Sequence, residues 1–110
     1  MQFDIDMKSK HQALFVAVRV LLIKEHKLTE VKKERITTYS DKNGGICHLR
    51  TMKHGIDIGF LKGAKMSDAE GKLTGTGKVM RILSVTVFDA SLIGEFVEQA
   101  VLINAISVRK

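Results

Sequence analysis

The chain has 110 residues, 45% of them apolar, with a net charge of +6 and a pI of about 9.6. That length fits one domain over residues 1–110, and the apolar content excludes an intrinsically disordered chain. The single Cys47 excludes an internal disulfide, and together with four scattered histidines it excludes a cysteine-built zinc cluster. The charge is uneven: +3 over residues 1–35, +4 over 36–81 and −1 over 82–110. A basic surface of this kind permits an anionic partner, and it also serves plain solubility.

In chain order, the first periodic segment spans residues 7–26. Leu14, Phe15, Val18, Leu21 and Leu22 fall on one helical face, and Asp6 is placed to cap the helix N-terminus. Val16, Val20 and Ile23 widen the apolar surface and leave a strand reading open for part of the run, but its length favours a helix. The apolar stretch 13–23 is too short to cross a bilayer, and no small-x-small cleavage pattern follows it. A cytoplasmic protein without a membrane segment is expected.

The middle reads as strands. Residues 36–40 lead into Asp41-Lys-Asn-Gly-Gly45, a strong turn signal, followed by strands at 46–52 and 56–61. Taking His54-Gly55 as a two-residue hairpin loop pairs Lys53 with Ile56, Arg50 with Gly59 and Leu49 with Phe60. Cys47, Leu49 and Thr51 then share the core face, while His48 and Arg50 lie opposite, with Asp57 as the expected ion-pair partner of Arg50. Residues 82–88 alternate as a further strand. Asp89 or Ser91 can cap a closing helix over 92–108, whose main face is Leu92, Ile93, Phe96, Ala100 and Ile103. The expected fold is α+β: an N-terminal helix, an antiparallel sheet of about four to five strands, and a C-terminal helix packed on it. Both helices are more apolar than one small sheet can cover, so a homodimer through helix surfaces is expected.

The most distinctive run, residues 59–81, holds five glycines and four lysines. It fails as a phosphate loop, because Lys72 stands where the first glycine belongs and Val79 where the hydroxyl belongs. It also fails as a dinucleotide fingerprint, because Met80 replaces the third glycine. What remains is an anion nest of backbone amides at Gly75 and Gly77, with Lys62, Lys65, Lys78 and Arg81 supplying charge. The competing reading is a solvated surface loop whose glycines only permit turns.

Gly59-Phe60-x-Lys62-Gly63-Ala64, then Gly71-x-Leu73-x-Gly75-x-Gly77-Lys78-x-Met80-Arg81, resembles the YdhG-like family of small bacterial domains. The resemblance is specific over about residues 46–81. It implies an α+β fold of the secretion-chaperone-like type and implies no established reaction. Ala69, Ile82 and Ser84 depart from the proline, histidine and lysine common in that family, so roles resting on those residues do not carry over.

No other constellation assembles a reaction. Cys47 is expected to be core packing and faces away from His48. Asp68 and Glu70 offer an unsupported acid–base pair, and no nucleophile–base pair, metal set or cofactor motif can be named. The expected function is a non-catalytic binding module for an anionic small molecule or acidic peptide at Arg50, Lys62, Lys65, Gly75, Gly77, Lys78 and Arg81. Nucleic-acid binding is the alternative suggested by the pI, weakened by the absence of a basic–aromatic pattern; a purely architectural loop is the other. Convergence of these side chains on a concave site favours binding, and side chains folded onto loop carbonyls favour architecture.

Overall fold

A computed structural model of the chain describes residues 1–108. The expected N-terminal helix is split. α1 is Gln2–Met7, α2 is Gln12–Val20, and a π-helical turn, Leu21–Glu25, continues α2. Asp6 does not cap a helix; it is buried inside one. Side-chain competition accounts for the break that follows, where the Ser9 hydroxyl accepts from the His11 N–H at 3.0 Å. The inward face is as the spacing requires, with Phe15, Val18 and Leu22 fully buried. Each such burial is worth roughly 1.5–3 kcal/mol.

Six antiparallel strands follow: β1 Thr29–Lys32, β2 Thr37–Asp41, β3 Gly44–Met52, β4 Gly55–Phe60, β5 Leu73–Thr74 and β6 Arg81–Val85, in the spatial order β1-β2-β3-β4-β6-β5. The two strands beyond those expected, β1 and β5, are the edges. Both are short and largely polar, which suits an edge and hides them from hydrophobic alternation. β6 ends at Val85, three residues before the expected Phe88; Val85 pairs with Ile56, and β4 extends only one residue beyond that pair, to Gly55. Val87 is therefore 77% exposed.

The β3–β4 loop is Lys53-His54, one residue earlier than expected, so the register differs by two: Leu49 pairs with Ile58 and Arg50 with Asp57. An even slip leaves every side chain on its expected face. The shift has a packing cause. A Cβ on Gly55 would lie 2.1 Å from the Val85 carbonyl oxygen, so this glycine serves the close approach of β6.

The helices meet one face of the sheet. Tyr39, Cys47, Leu49, Ile56, Ile58, Phe60 and Leu83 form one core with the buried helix residues. Arg19 of α2 makes two hydrogen bonds to Glu30 of β1, at 2.5 and 2.9 Å, and the Tyr39 hydroxyl donates to the same carboxylate at 2.8 Å. Burial pushes the Glu30 pKa up, but these donors outweigh it and hold the group below its ordinary value.

α3, Ala90–Val108, is capped as expected: Asp89 Oδ1 accepts from the Leu92 N–H at 3.0 Å. Its Ile93, Phe96, Val97 and Ala100 are buried, and Asn104 donates to the Gly45 carbonyl at 3.3 Å. Leu102 and Ile106 stay exposed. By length and composition alone Ala90–Ser107 would pass for a membrane-crossing helix, although one side of it is sheet-packed.

Candidate functional site: a basic groove beside the central strand

β3 outruns β2. Thr37, the first residue of β2, pairs with Leu49, so Arg50, Thr51 and Met52 have no partner strand on that side. Unpaired ladder groups need other partners, and the N-terminal segment supplies them. Asp6 Oδ1 accepts from the Thr51 N–H at 3.0 Å, from the Thr51 hydroxyl at 2.7 Å and from Gln2 Nε2 at 2.9 Å. His11 Nε2 lies 2.9 Å from the Lys53 carbonyl, a contact that requires the proton on Nε2.

These clamps hold residues 8–11 against the end of the β3–β4 hairpin and leave a groove of about 750 Å³ between them. Lys8, Lys10, Arg50 and Lys53 line it, with the Ser9 hydroxyl and the partly buried Met52. Lys8, Lys10, Arg50 and Lys53 are exposed, no carboxylate lines the groove, and among the described residues none of the four cations is in an ion pair. Single exposed charge pairs are worth little in water. An open site with four cations can therefore attract an anion carrying several charges, and any such attraction weakens with salt.

Of the residues singled out in the sequence, Arg50 alone lies in this groove. Arg81 pairs with Phe60, three residues along β4 from the Arg50 partner Asp57 and on the other face of the sheet. Its Nη1 donates to the carbonyls of Gly77 (2.5 Å) and Met80 (2.6 Å), closing the loop on itself. Gly63 lets this happen, since a Cβ there would sit 2.6 Å from Arg81 Cβ. Of the two nest glycines, Gly75 takes a positive φ of 122° and Gly77 does not. Lys65 and Lys78 are exposed and Lys62 half-buried; among the described residues these three and Arg81 line none of four well-formed concavities. The structure thus separates Arg50 from the loop cations.

Neither a family model, nor a curated protein, nor a solved structure matches the chain.

The remaining candidates have structural partners. Asp57 is the cross-strand neighbour of Arg50 but makes no ion pair with it; its Oδ1 is bound by His54 Nε2 at 2.8 Å and by the Ser84 hydroxyl at 2.9 Å. Asp68 accepts from the backbone N–H groups of Lys72 and Leu73, both at 2.8 Å, and Glu70 pairs with Lys72. Cys47 is fully buried, and burial pushes its thiol up to about 12, away from a reactive thiolate. His48 lies over Gly59, where a Cβ would come within 2.3 Å of the ring. Burial and then the Arg50 charge push its pKa down. Sequence reasoning missed Lys8, Lys10 and Lys53, since no local signal links residues 8–10 with the turn after β3.

Proposed function

We propose that the chain is a YdhG-like binding module whose ligand is a multiply charged anion, either a small molecule or an acidic peptide, held by Lys8, Lys10, Arg50 and Lys53. One observation carries this reading: four cations without an ion-pair partner among the described residues line a single groove, and no Asp or Glu is among its described lining residues. The clamping by Asp6 and His11 supports it, because it fixes the backbone that carries Lys8 and Lys10 beside β3, so less of the chain has to be ordered on binding. Among the described residues no aromatic side chain lines the groove, so they offer no stacking platform there of the kind a single-stranded nucleic acid needs. The glycine-rich loop is left as a shaped surface element.

The test is calorimetric titration with inorganic tripolyphosphate and, separately, a hexaglutamate peptide, at low and high salt. The Arg50→Ala/Lys53→Ala variant is expected to bind at least about tenfold more weakly, a loss of roughly 1.4 kcal/mol, while Lys78→Ala binds as the wild type does. Unchanged binding in the double variant overturns the assignment. Loss in Lys78→Ala returns the site to the loop.

A further inference from the structure

A second concavity, about 880 Å³, runs between α2 with its π turn and the N-terminal half of α3. Its character is opposite to that of the basic groove. Val20, Leu21 and Phe88 give it an apolar lining, with Val20 43% and Phe88 41% exposed. Among the described residues Glu25, Glu95 and Glu98 are the charged ones along it, and neither lysine nor arginine lines it. On a chain of net charge +6 this is a local inversion of sign. The π turn brings Leu21 and Glu25 to the groove, and such turns recur at functional sites. Gly94, facing the His26 ring, keeps the α3 wall low.

The same chain carries a surface of matching and opposite character. Residues 75–80 present Lys78 together with Val79, a valine 55% exposed. The turn bearing Lys62 and Lys65 is tied to this loop by the Ala64 N–H, which donates to the Val79 carbonyl at 2.9 Å. The two Arg81 hydrogen bonds set the loop's shape in advance, so little ordering remains to be done on contact. Open space surrounds the position of a Cβ on Gly77, so the loop stands clear of its own domain there.

We infer that the groove between α2 and α3 receives the glycine-rich loop of a second copy of this chain, with Val79 against the apolar lining and Lys65 and Lys78 facing Glu25, Glu95 and Glu98. Reciprocal exchange between two copies closes a two-fold dimer with two such contacts. This assigns a role to the loop that the anion groove leaves unused, and it does not depend on that groove.

The test is sedimentation velocity over a concentration series at low and high salt. The wild type is expected to dimerise, more weakly at high salt. Glu95→Lys/Glu98→Lys reverses the groove and Lys65→Glu/Lys78→Glu reverses the loop; each alone is expected to raise the dimer Kd at least about tenfold. An equimolar mixture of the two restores a dimer, because each groove then faces a loop of opposite sign. All four positions are exposed, so both variants are expected to keep the wild-type far-UV circular dichroism. Val79→Ser, which changes no charge, must also weaken the dimer, and Arg50→Ala/Lys53→Ala must leave it intact. A wild type that stays monomeric overturns the inference. So does a dimer indifferent to either reversal, or a mixture that fails to reassociate; indifference to both would move the interface to the exposed Leu102 and Ile106 side of α3.

Discussion

Replacing Asp6 by alanine tests the clamp on which the basic groove rests. Asp6 is fully buried, and its Oδ1 accepts from three donors: the Thr51 N–H, the Thr51 hydroxyl and Gln2 Nε2. The Thr51 N–H cannot fall back on a neighbouring strand, because β2 begins opposite Leu49. Orphaning one such backbone donor costs about 1–3 kcal/mol, and the two side-chain donors add less because they can turn toward water. Releasing Asp6 from burial gives some of this back. Asp6 Oδ2 is buried without a partner, which adds to that relief, so the net expectation for Asp6→Ala is a loss of about 1–3 kcal/mol, or roughly 5–15 °C in Tm for a chain of this size. Urea unfolding followed by far-UV circular dichroism measures it. Asp6→Asn keeps an oxygen at the Oδ1 position and should lose less. Thr51→Val completes a double-mutant cycle with Asp6→Ala, with an expected coupling of about 1 kcal/mol or more. Freed from β3, residues 8–10 should also bind tripolyphosphate more weakly. An Asp6→Ala protein within about 0.5 kcal/mol of wild type, or strict additivity with Thr51→Val, refutes the reasoning.

Two further outcomes follow from the same geometry. The Glu30 carboxyl is held below its ordinary value in the folded state, so the unfolded chain takes up the proton first as pH falls. The stabilisation is whole above the unfolded pKa of about 4.3 and is lost as pH drops through the folded value. Stability measured between roughly pH 5 and pH 3 should therefore fall less steeply in Glu30→Gln than in wild type, and parallel curves would contradict the assignment. Gly63→Ala places a methyl 2.6 Å from Arg81 Cβ and 2.7 Å from Arg81 N, neither of which can swing away. A cost of about 1–3 kcal/mol is expected from such overpacking, read as a fall in Tm; an unchanged Tm would show that the loop is looser than the structure has it.

The α+β class, four of the six strands, the Asp89 cap and the faces of Cys47, Leu49 and Arg50 were legible from periodicity and turn residues. Those signals act within a few residues of where they are read. The hairpin shows the limit. Gly55 looks like a loop residue, yet the fold uses it in β4, where only a glycine allows the Val85 carbonyl so close. The N-terminal helix shows it again. Asp6 has the chemistry of a cap, but its partner, Thr51, is 45 residues away.

The candidate site divides in the same way. Arg50 is legible in the sequence because its strand, its face and its charge are all local properties. Lys8, Lys10 and Lys53 were invisible, because their meeting depends on where β2 stops and on which side chains satisfy the ladder of β3 beyond it. The glycine-rich loop is the converse case. Its composition announced a shaped element, and Arg81 does shape it, but whether its cations surround a pocket or face outward depends on the strand that follows. β6 carries Arg81 opposite Phe60, with its guanidinium bonded to loop carbonyls and Lys78 exposed. Residue type and spacing determine which groups a segment can present. Register and the points where strands end determine which of those groups meet, because each is set by contacts between segments distant along the chain.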